Sequence, residues 1–205
     1  MANPSAGNGT VTPIDTATNT PGKPIPVGPV PGAITITPDG KTLYVTIDKA
    51  VVPISTATGT AGTPIRFGLI PDALVVTPDG KTLYVTSDTG SKARLTAVST
   101  ATNRPGPTIP IQSPPGQMVI TPDGKTLYLA SSGGNAFITP VSTATNQPGK
   151  QIRVAPGVLL AITPDGKTLY AMAKGKVVPI GTTTNQPGKP IRFGDAEPRE
   201  IIVAP

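Results

Sequence analysis

Eight residues, Thr37-Pro38-Asp39-Gly40-Lys41-Thr42-Leu43-Tyr44, return at 77–84, 121–128 and 163–170. The aspartates at 39, 79, 123 and 165 are therefore 40, 44 and 42 residues apart, a period at which repeated sequences build four-stranded propeller blades. A unit that short cannot bury its own apolar faces. Each one depends on its neighbours for a core, so the chain is an array before it is anything else.

Within a unit the strands can be lettered A (near Ile34), B (near Tyr44), C (near Val52) and D (near Ile65). Pro38-Asp39-Gly40 joins A to B, with Gly supplying a left-handed position that bulkier residues resist. Thr-Asn-Thr-Pro-Gly at 18–22 and its copies at 145–149 and 184–188 join C to D. Here Pro21-Gly22 predicts a type II turn, Pro presetting the first central dihedral and Gly accepting the positive φ of the second. A and B do not alternate cleanly between apolar and polar, as expected when both sheet faces are covered.

The predicted fold is all-β: one propeller domain over 1–205, of about five four-stranded antiparallel blade equivalents. Full blades fall at 29–68, 69–112, 113–155 and 156–194, between a partial unit at 1–28 and a closing strand at 195–205. A closing blade shared by both termini would remove exposed sheet edges. Its B strand is missing: Pro205 stands where Pro38 stands, and residues 1–3 stand where such a strand would end. Two readings stay open, a segment of a longer array and a five-bladed ring with a three-stranded closing blade. On the first, the incomplete blade is expected to associate with a second copy.

Composition narrows function more than fold. The 27 Pro and 23 Gly would suggest disorder if unordered, but they recur at fixed repeat positions and read as turn chemistry. Hydrophobic residues make up 37% and are mostly aliphatic, with three Phe, four Tyr and no Trp. The absence of Cys excludes disulfides, thiolate nucleophiles and Cys-based metal sites. The absence of His removes the commonest general base and metal ligand. A formal charge of +6 favours anionic partners weakly, and salt screens it. No apolar run is long enough to span a membrane, and residues 1–10 show no signal-peptide pattern.

Pro38-Asp39-Gly40-Lys41-Thr42-Leu43-Tyr44-Val45-Thr46 and Val11-Thr12-Pro13-Ile14-Asp15-Thr16-Ala17-Thr18-Asn19 resemble the YVTN family of β-propeller repeats. Nearly the whole chain is covered, in four copies, with modest departures: Ile47 or Ser87 follows Tyr-Val-Thr where the family has Asn, and Tyr170 is followed by Ala171-Met172. The resemblance implies a propeller, commonly seven-bladed and YncE-like, with extracytoplasmic or surface placement in many bacterial members. It implies no shared active site, so no catalytic residue, cofactor or metal ligand is carried over.

Several residue sets invite chemistry. Asp39, Asp79, Asp123 and Asp165 occupy symmetric positions, but Asp is a turn residue, each has a neighbouring Lys, and no calcium-loop pattern exists. Tyr44, Tyr84, Tyr128 and Tyr170 read as blade-packing residues rather than stacking platforms for bases or sugars. Arg66, Arg153 and Arg192 share one position in the outermost strand, where other units have Pro26 and Pro110. They form either a basic rim for phosphates or a guard against edge pairing, the second being preferred. Asn8-Gly9-Thr10 is a short glycosylation match, and Ser99, Ser131 and Ser132 have no base patterned nearby.

The units differ most in their B–C and D–A connections, which a four-stranded meander brings to one end, opposite the two fixed turns. Loops on a rigid scaffold are where binding usually lives. The expected binding face carries Asp48, Lys49, Asp72, Asp88, Lys92, Arg94, Asn135, Lys174, Lys176, Glu197 and Arg199. The reading is a non-enzymatic scaffold that binds a protein or a surface ligand. The alternatives are a piece of a lactonase-like or lyase-like propeller enzyme and a weak nucleic-acid binder using the basic rim. Strand A offers chiefly Ile, Val, Leu and Thr to a central channel, which counts against the enzyme.

Overall fold

The structure is a computed structural model that describes residues 2–3, 8–89, 93–112, 115–131, 137–154, 159–173, 175–194, 201 and 203. Its contacts group the chain into two compact units, Met1–Thr89 with Arg94–Thr108, and Gly90–Ala93 with Ile109–Pro205. Among the described residues all regular structure is β-strand.

The recurring octapeptide is a hydrogen-bonded corner in which most of its residues have a defined part. Thr37 Oγ1 donates to Asp39 Oδ1 at 2.6 Å and accepts from the Thr42 N–H at 3.0 Å. The Lys41 N–H reaches the same carboxylate oxygen at 3.1 Å, and the Gly40 N–H closes on the Thr37 carbonyl at 2.8 Å. Gly40 sits at φ +70°, the left-handed conformation the sequence required. The corners at 77–82, 121–126 and 163–168 repeat these bonds. Strand pairing then follows from the corner. In the 29–68 repeat the sheet runs Ile34–Ile36, Thr42–Ile47, Ala50–Ser55, Ile65–Arg66, all antiparallel, with Thr60–Ala61 also paired to the third strand.

The other repeats keep this order. The second runs Ile70–Val76, Thr82–Asp88, Ala93–Ser99, Arg104–Ile111. The third runs Pro115–Ile120, Thr126–Ser131, Phe137–Ser142, then Gln147–Pro148 and Ile152–Arg153. The fourth runs Leu159–Ile162, Thr168–Ala173, Lys176–Gly181, then Gln186–Pro187 and Ile191–Arg192. At the N-terminus Gly9–Val11 pairs with Ile25–Gly28 on one side and with the two-residue strand Ala2–Asn3 on the other, in the position of strand B. The closing strand expected over 195–205 lies outside the described residues apart from Ile201 and Val203.

The C-to-D reversal corrects the sequence reading. The left-handed residue is the Asn before the Pro-Gly pair: Asn19, Asn103, Asn146 and Asn185 have φ of 54°, 55°, 56° and 55°, and Gly59 replaces Asn at 61°. Asn tolerates this conformation because its short polar side chain bonds locally. Pro21, Pro148 and Pro187 are strand residues beyond the turn. The following Gly serves close approach, its N–H donating to the carbonyl of a proline across the sheet: Gly22 to Pro13 at 2.8 Å, and Gly62 to Pro53, Gly149 to Pro140 and Gly188 to Pro179 at 2.7 Å. A Cβ added to these glycines would meet that proline's Cγ at 3.1 to 3.4 Å.

One threonine per repeat joins the two kinds of turn. Thr56, Thr100, Thr143 and Thr182 donate their hydroxyls to the carbonyls of Gly40, Gly80, Gly124 and Gly166 at 2.6, 2.6, 2.7 and 2.6 Å. Both fixed turns of a sheet are therefore bound together at one end. Between sheets lie aliphatic cores. In the first unit Val11 and Val27 pack with Val45, Val52 and Ile54, while Tyr44, Val51 and Ile65 pack with Leu83, Val85 and Val98. In the second, Tyr128, Ile138 and Ile152 pack with Leu160, Leu169 and Ile180.

Candidate functional site

In the first repeat the B–C and D–A connections meet at the sheet end away from the fixed corner. Asp48-Lys49 is a two-residue turn between the paired residues Ile47 and Ala50, with Lys49 at φ 56°. The Asp48 N–H donates to the Pro29 carbonyl at 3.2 Å and the Phe67 N–H to the Lys49 carbonyl at 3.1 Å. This B–C turn thus touches the connection entering its repeat and the end of the repeat's own outer strand. The fourth repeat shows the same contact, Phe193 N–H to the Gly175 carbonyl at 3.1 Å.

Asp48 and Lys49 lie exposed on that turn. Asp72, Asp88, Arg94 and Lys176 sit on strands and not on loop tips, because pairing extends further than the sequence suggested. Ile70 and Pro71 pair with Asp88 and Ser87, and the register shift between Pro71 and Leu74 leaves Asp72 on a bulge. Bulges re-aim a side chain at a strand end. Lys176 pairs with Arg192 across the outer strand, placing two cations side by side in sequence register. Lys92, Asn135, Lys174, Glu197 and Arg199 lie outside the described residues.

Asp72 and Asp88 are the electrostatically uneven point of this end. Burial, and then the Asp88 charge, push the Asp72 carboxyl above the usual carboxylate range. The corner aspartates move the other way. A hydroxyl donor first and a backbone N–H next hold Asp39, Asp79, Asp123 and Asp165 below it. Such a carboxylate already accepts from its own turn and is poorly placed to hold a ligand. Lys41, Lys125 and Lys167 approach these carboxylates at 3.7, 3.5 and 3.6 Å in solvent, where ion pairs contribute little. Among the described residues no three of His, Cys, Asp or Glu gather as metal ligands.

The tyrosines are packing residues. Tyr44, Tyr84 and Tyr128 are buried, and burial followed by the Asp123 charge pushes the Tyr128 phenol up to about 12. It stays protonated and donates to Asn185 Oδ1 at 2.7 Å, as Tyr44 donates to Asn103 Oδ1 at 2.9 Å. The acceptor is the left-handed Asn of the next repeat's C–D turn. Sequence reading assigned that Asn only to a turn. Its recurrence two residues before each Pro-Gly pair was the signal available.

Arg66, Arg153 and Arg192 are exposed on two-residue outer strands; Pro26 and Pro110, at the same position on the longer strands Ile25–Gly28 and Arg104–Ile111, are exposed as well. Between the C–D turns of the third and fourth repeats a cleft of about 450 Å³ is lined by Gln147, Lys150, Gln151, Arg153 and Gln186. Inside the strand A edge Ile34 and Ile36 are exposed, while Gln117 Oε1 accepts the Leu160 N–H at 2.6 Å. The inner edge is therefore aliphatic, with an amide link between successive inner strands. Among the described residues no helix is long and apolar enough to cross a membrane.

No family model matches the chain, and no curated protein matches it by sequence. Its backbone is similar to hydrazine synthase of Kuenenia stuttgartiensis, with a TM-score of 0.80 and 23% identity over 90% of this chain and 59% of that one. It is similar also to a protein assigned as a 6-phosphogluconolactonase from Bacteroides uniformis, at 0.73 and 18% over 95% of this chain and 68% of that one. A third likeness is to dihydro-heme d1 dehydrogenase NirN in complex with DHE, at 0.72 and 14% over 94% of this chain and 44% of that one. The chain thus spans about three-fifths of the hydrazine synthase chain. These are β-propeller proteins, and the fold here is a β-propeller of four-stranded antiparallel blades.

Proposed function

We propose that this chain is a non-enzymatic YVTN-type repeat scaffold that works outside the cytoplasm and binds a protein or a surface ligand at the end where its B–C and D–A connections gather. The observation that carries the reading is the contrast between the two ends of each sheet. At one, the Thr37 hydroxyl, the Gly40 and Lys41 N–H groups and the Thr56 hydroxyl all bond within the repeat. At the other, connections vary from repeat to repeat, and Asp72 and Asp88 repel each other beside a bulge. A cationic or hydrogen-bond-donating partner at Asp72 favours the charged carboxylate that burial and the Asp88 charge disfavour.

The test is a binding screen of peptides and surface glycans. It compares the wild type with a D48K/D72K/D88K variant and with a corner variant, K41E/K125E/K167E. Ligands kept by the corner variant and weakened at least about tenfold by the face variant support the assignment. Ligands that follow the corner instead overturn it. Recovery of the native protein in the cytoplasmic fraction overturns the placement.

A second reading, a piece of a propeller enzyme, is favoured by the likeness to the lactonase-assigned and NirN structures. It requires polar groups converging on the inner strands, where Ile34 and Ile36 stand exposed. Turnover of a panel of sugar lactones would establish it over the first.

A further inference from the structure

The third repeat departs from the others along its outer strand. After the Pro-Gly pair it reads Lys150-Gln151-Ile152-Arg153, where the corresponding stretches are Lys23-Pro24-Ile25-Pro26, Thr63-Pro64-Ile65-Arg66, Pro107-Thr108-Ile109-Pro110 and Lys189-Pro190-Ile191-Arg192. The Ile is common to all of them. A glutamine between a lysine and an arginine occurs only here, and what a repeat does not share the scaffold does not require. This stretch is one wall of the cleft of about 450 Å³ between the third and fourth repeats, whose lining residues all belong to the second compact unit. Lys150 and Arg153 are exposed, no Asp or Glu lines the cleft with them, and neither has a carboxylate partner among the described residues. Gln151 donates Nε2 to Gln112 Oε1 at 3.1 Å, which fixes the amide and leaves its oxygen to accept. On the facing wall the half-buried Asn185 accepts the Tyr128 hydroxyl through Oδ1 at 2.7 Å and keeps its Nδ2 hydrogens.

We propose that this cleft binds an acidic saccharide, a sugar ring that carries a carboxylate. The carboxylate pairs with Arg153, whose planar fork matches it, and with Lys150. Ring hydroxyls both donate and accept, as the amides of Gln147, Gln151, Asn185 and Gln186 do. The C–H faces of the ring lie on Pro140, Ile152 and Pro187, the apolar part of the lining. The volume is that of a small-molecule site. A nucleic-acid strand would find cations here but no aromatic side chain on which its bases could stack. A peptide added as a further strand would meet Pro148 and Pro187 on the outer strands, which lack the N–H it needs. The cleft shares no residue with the face bearing Asp48, Asp72 and Asp88, so it stands or falls separately from the reading of that face.

The experiment is an NMR titration of the isotope-labelled 205-residue chain with digalacturonate, read at the side-chain amide resonances of Gln147, Gln151 and Gln186. Lactose serves as the neutral disaccharide and inorganic phosphate as the plain anion. Digalacturonate is expected to shift these resonances saturably, and lactose and phosphate to bind at least about tenfold more weakly. R153Q is expected to weaken digalacturonate by at least about tenfold. Q151P restores the proline that other repeats carry and is expected to weaken it by about fivefold, the worth of one hydrogen bond. K23Q removes the lysine equivalent to Lys150 in the first compact unit and is expected to change nothing. The three sites are exposed or half-buried, and an unchanged urea midpoint shows that each variant folds. Amide resonances that do not move with digalacturonate overturn the proposal. So does phosphate that binds as tightly as digalacturonate, which would mark an adventitious ion only. A loss in K23Q as large as in R153Q overturns it too, since the charge of the whole chain and not the cleft would then hold the ligand.

Discussion

The Tyr128 hydroxyl meets Asn185 Oδ1 at 2.7 Å across 57 residues, so the turn of one blade is fastened to the central strand of the blade before it. Replacing Tyr128 with Phe keeps the ring and strands the amide oxygen. A loss of about 1 kcal/mol is expected, against about 3–5 kcal/mol for Tyr128→Ala, which also opens a cavity. Asn185→Gly keeps the left-handed backbone, as Gly59 shows at φ 61°, and removes only the acceptor. Urea unfolding of both single variants and the double is expected to give a coupling of about 0.5–1.5 kcal/mol. A coupling of zero would mean that the bond adds nothing to the seam.

The corner carboxylates predict an acid limb. Asp39, Asp79, Asp123 and Asp165 are held below their ordinary value of 3.8 in the fold. Their contribution is present above that value and is lost as the pH falls through the lower folded values. The urea midpoint is therefore expected to drop as the pH falls below 3.8. Asn at all four positions keeps an acceptor oxygen for Thr and Lys and is expected to flatten this limb. An unchanged limb would place the acid sensitivity elsewhere.

Glycine and proline across the C–D hairpin are expected to be coupled. A Cβ on Gly62 lies 3.3 Å from Pro53 Cγ, so Gly62→Ala is expected to cost about 1–3 kcal/mol by overpacking. In a Pro53→Ala background the ring is gone and most of that cost should vanish. Gly40 offers the contrast. Nothing lies within 4 Å of its Cβ position and φ is +70°, so Gly40→Asn is expected to be milder than Gly40→Val, since left-handed backbone disfavours β-branching.

Asp72 runs opposite to the corner residues. Its carboxyl is raised, so the fold disfavours the charged form, and stability is lost as the pH rises from 3.8 through the folded value. Asp72→Asn is expected to stabilise the fold at neutral pH, read as a higher urea midpoint, by no more than about a few tenths of a kcal/mol, because the side chain is only partly buried and solvent screens it. The gain should disappear in an Asp88→Asn background to the extent that Asp88 contributes to it.

The parts legible in sequence were those whose cause is local. Gly40 and its copies need a left-handed residue, Thr37, Asp39 and Lys41 bond within six positions, and the octapeptide preserves both facts in order. Pro21-Gly22 misleads for an equally physical reason. Pro-Gly is a turn signature in isolation, and nothing nearby in sequence says that Gly22 faces Pro13. Tyr44 was placed in the core, but its acceptor Asn103 was not, because the link crosses from one repeat to the next. Asp72 and Asp88 read as loop residues in sequence because a bulge between Pro71 and Leu74 leaves no residue pattern of its own.

The hydroxyl of Thr56 on the Gly40 carbonyl, like its copies, ties off a sheet with residues drawn from that sheet alone, and the phenol–amide bond passes onward to the neighbour. A length of DNA encoding one such module can therefore be duplicated or lost without disturbing the wiring of the others. Copy number is then free to drift over generations while the grammar of a single module stays fixed.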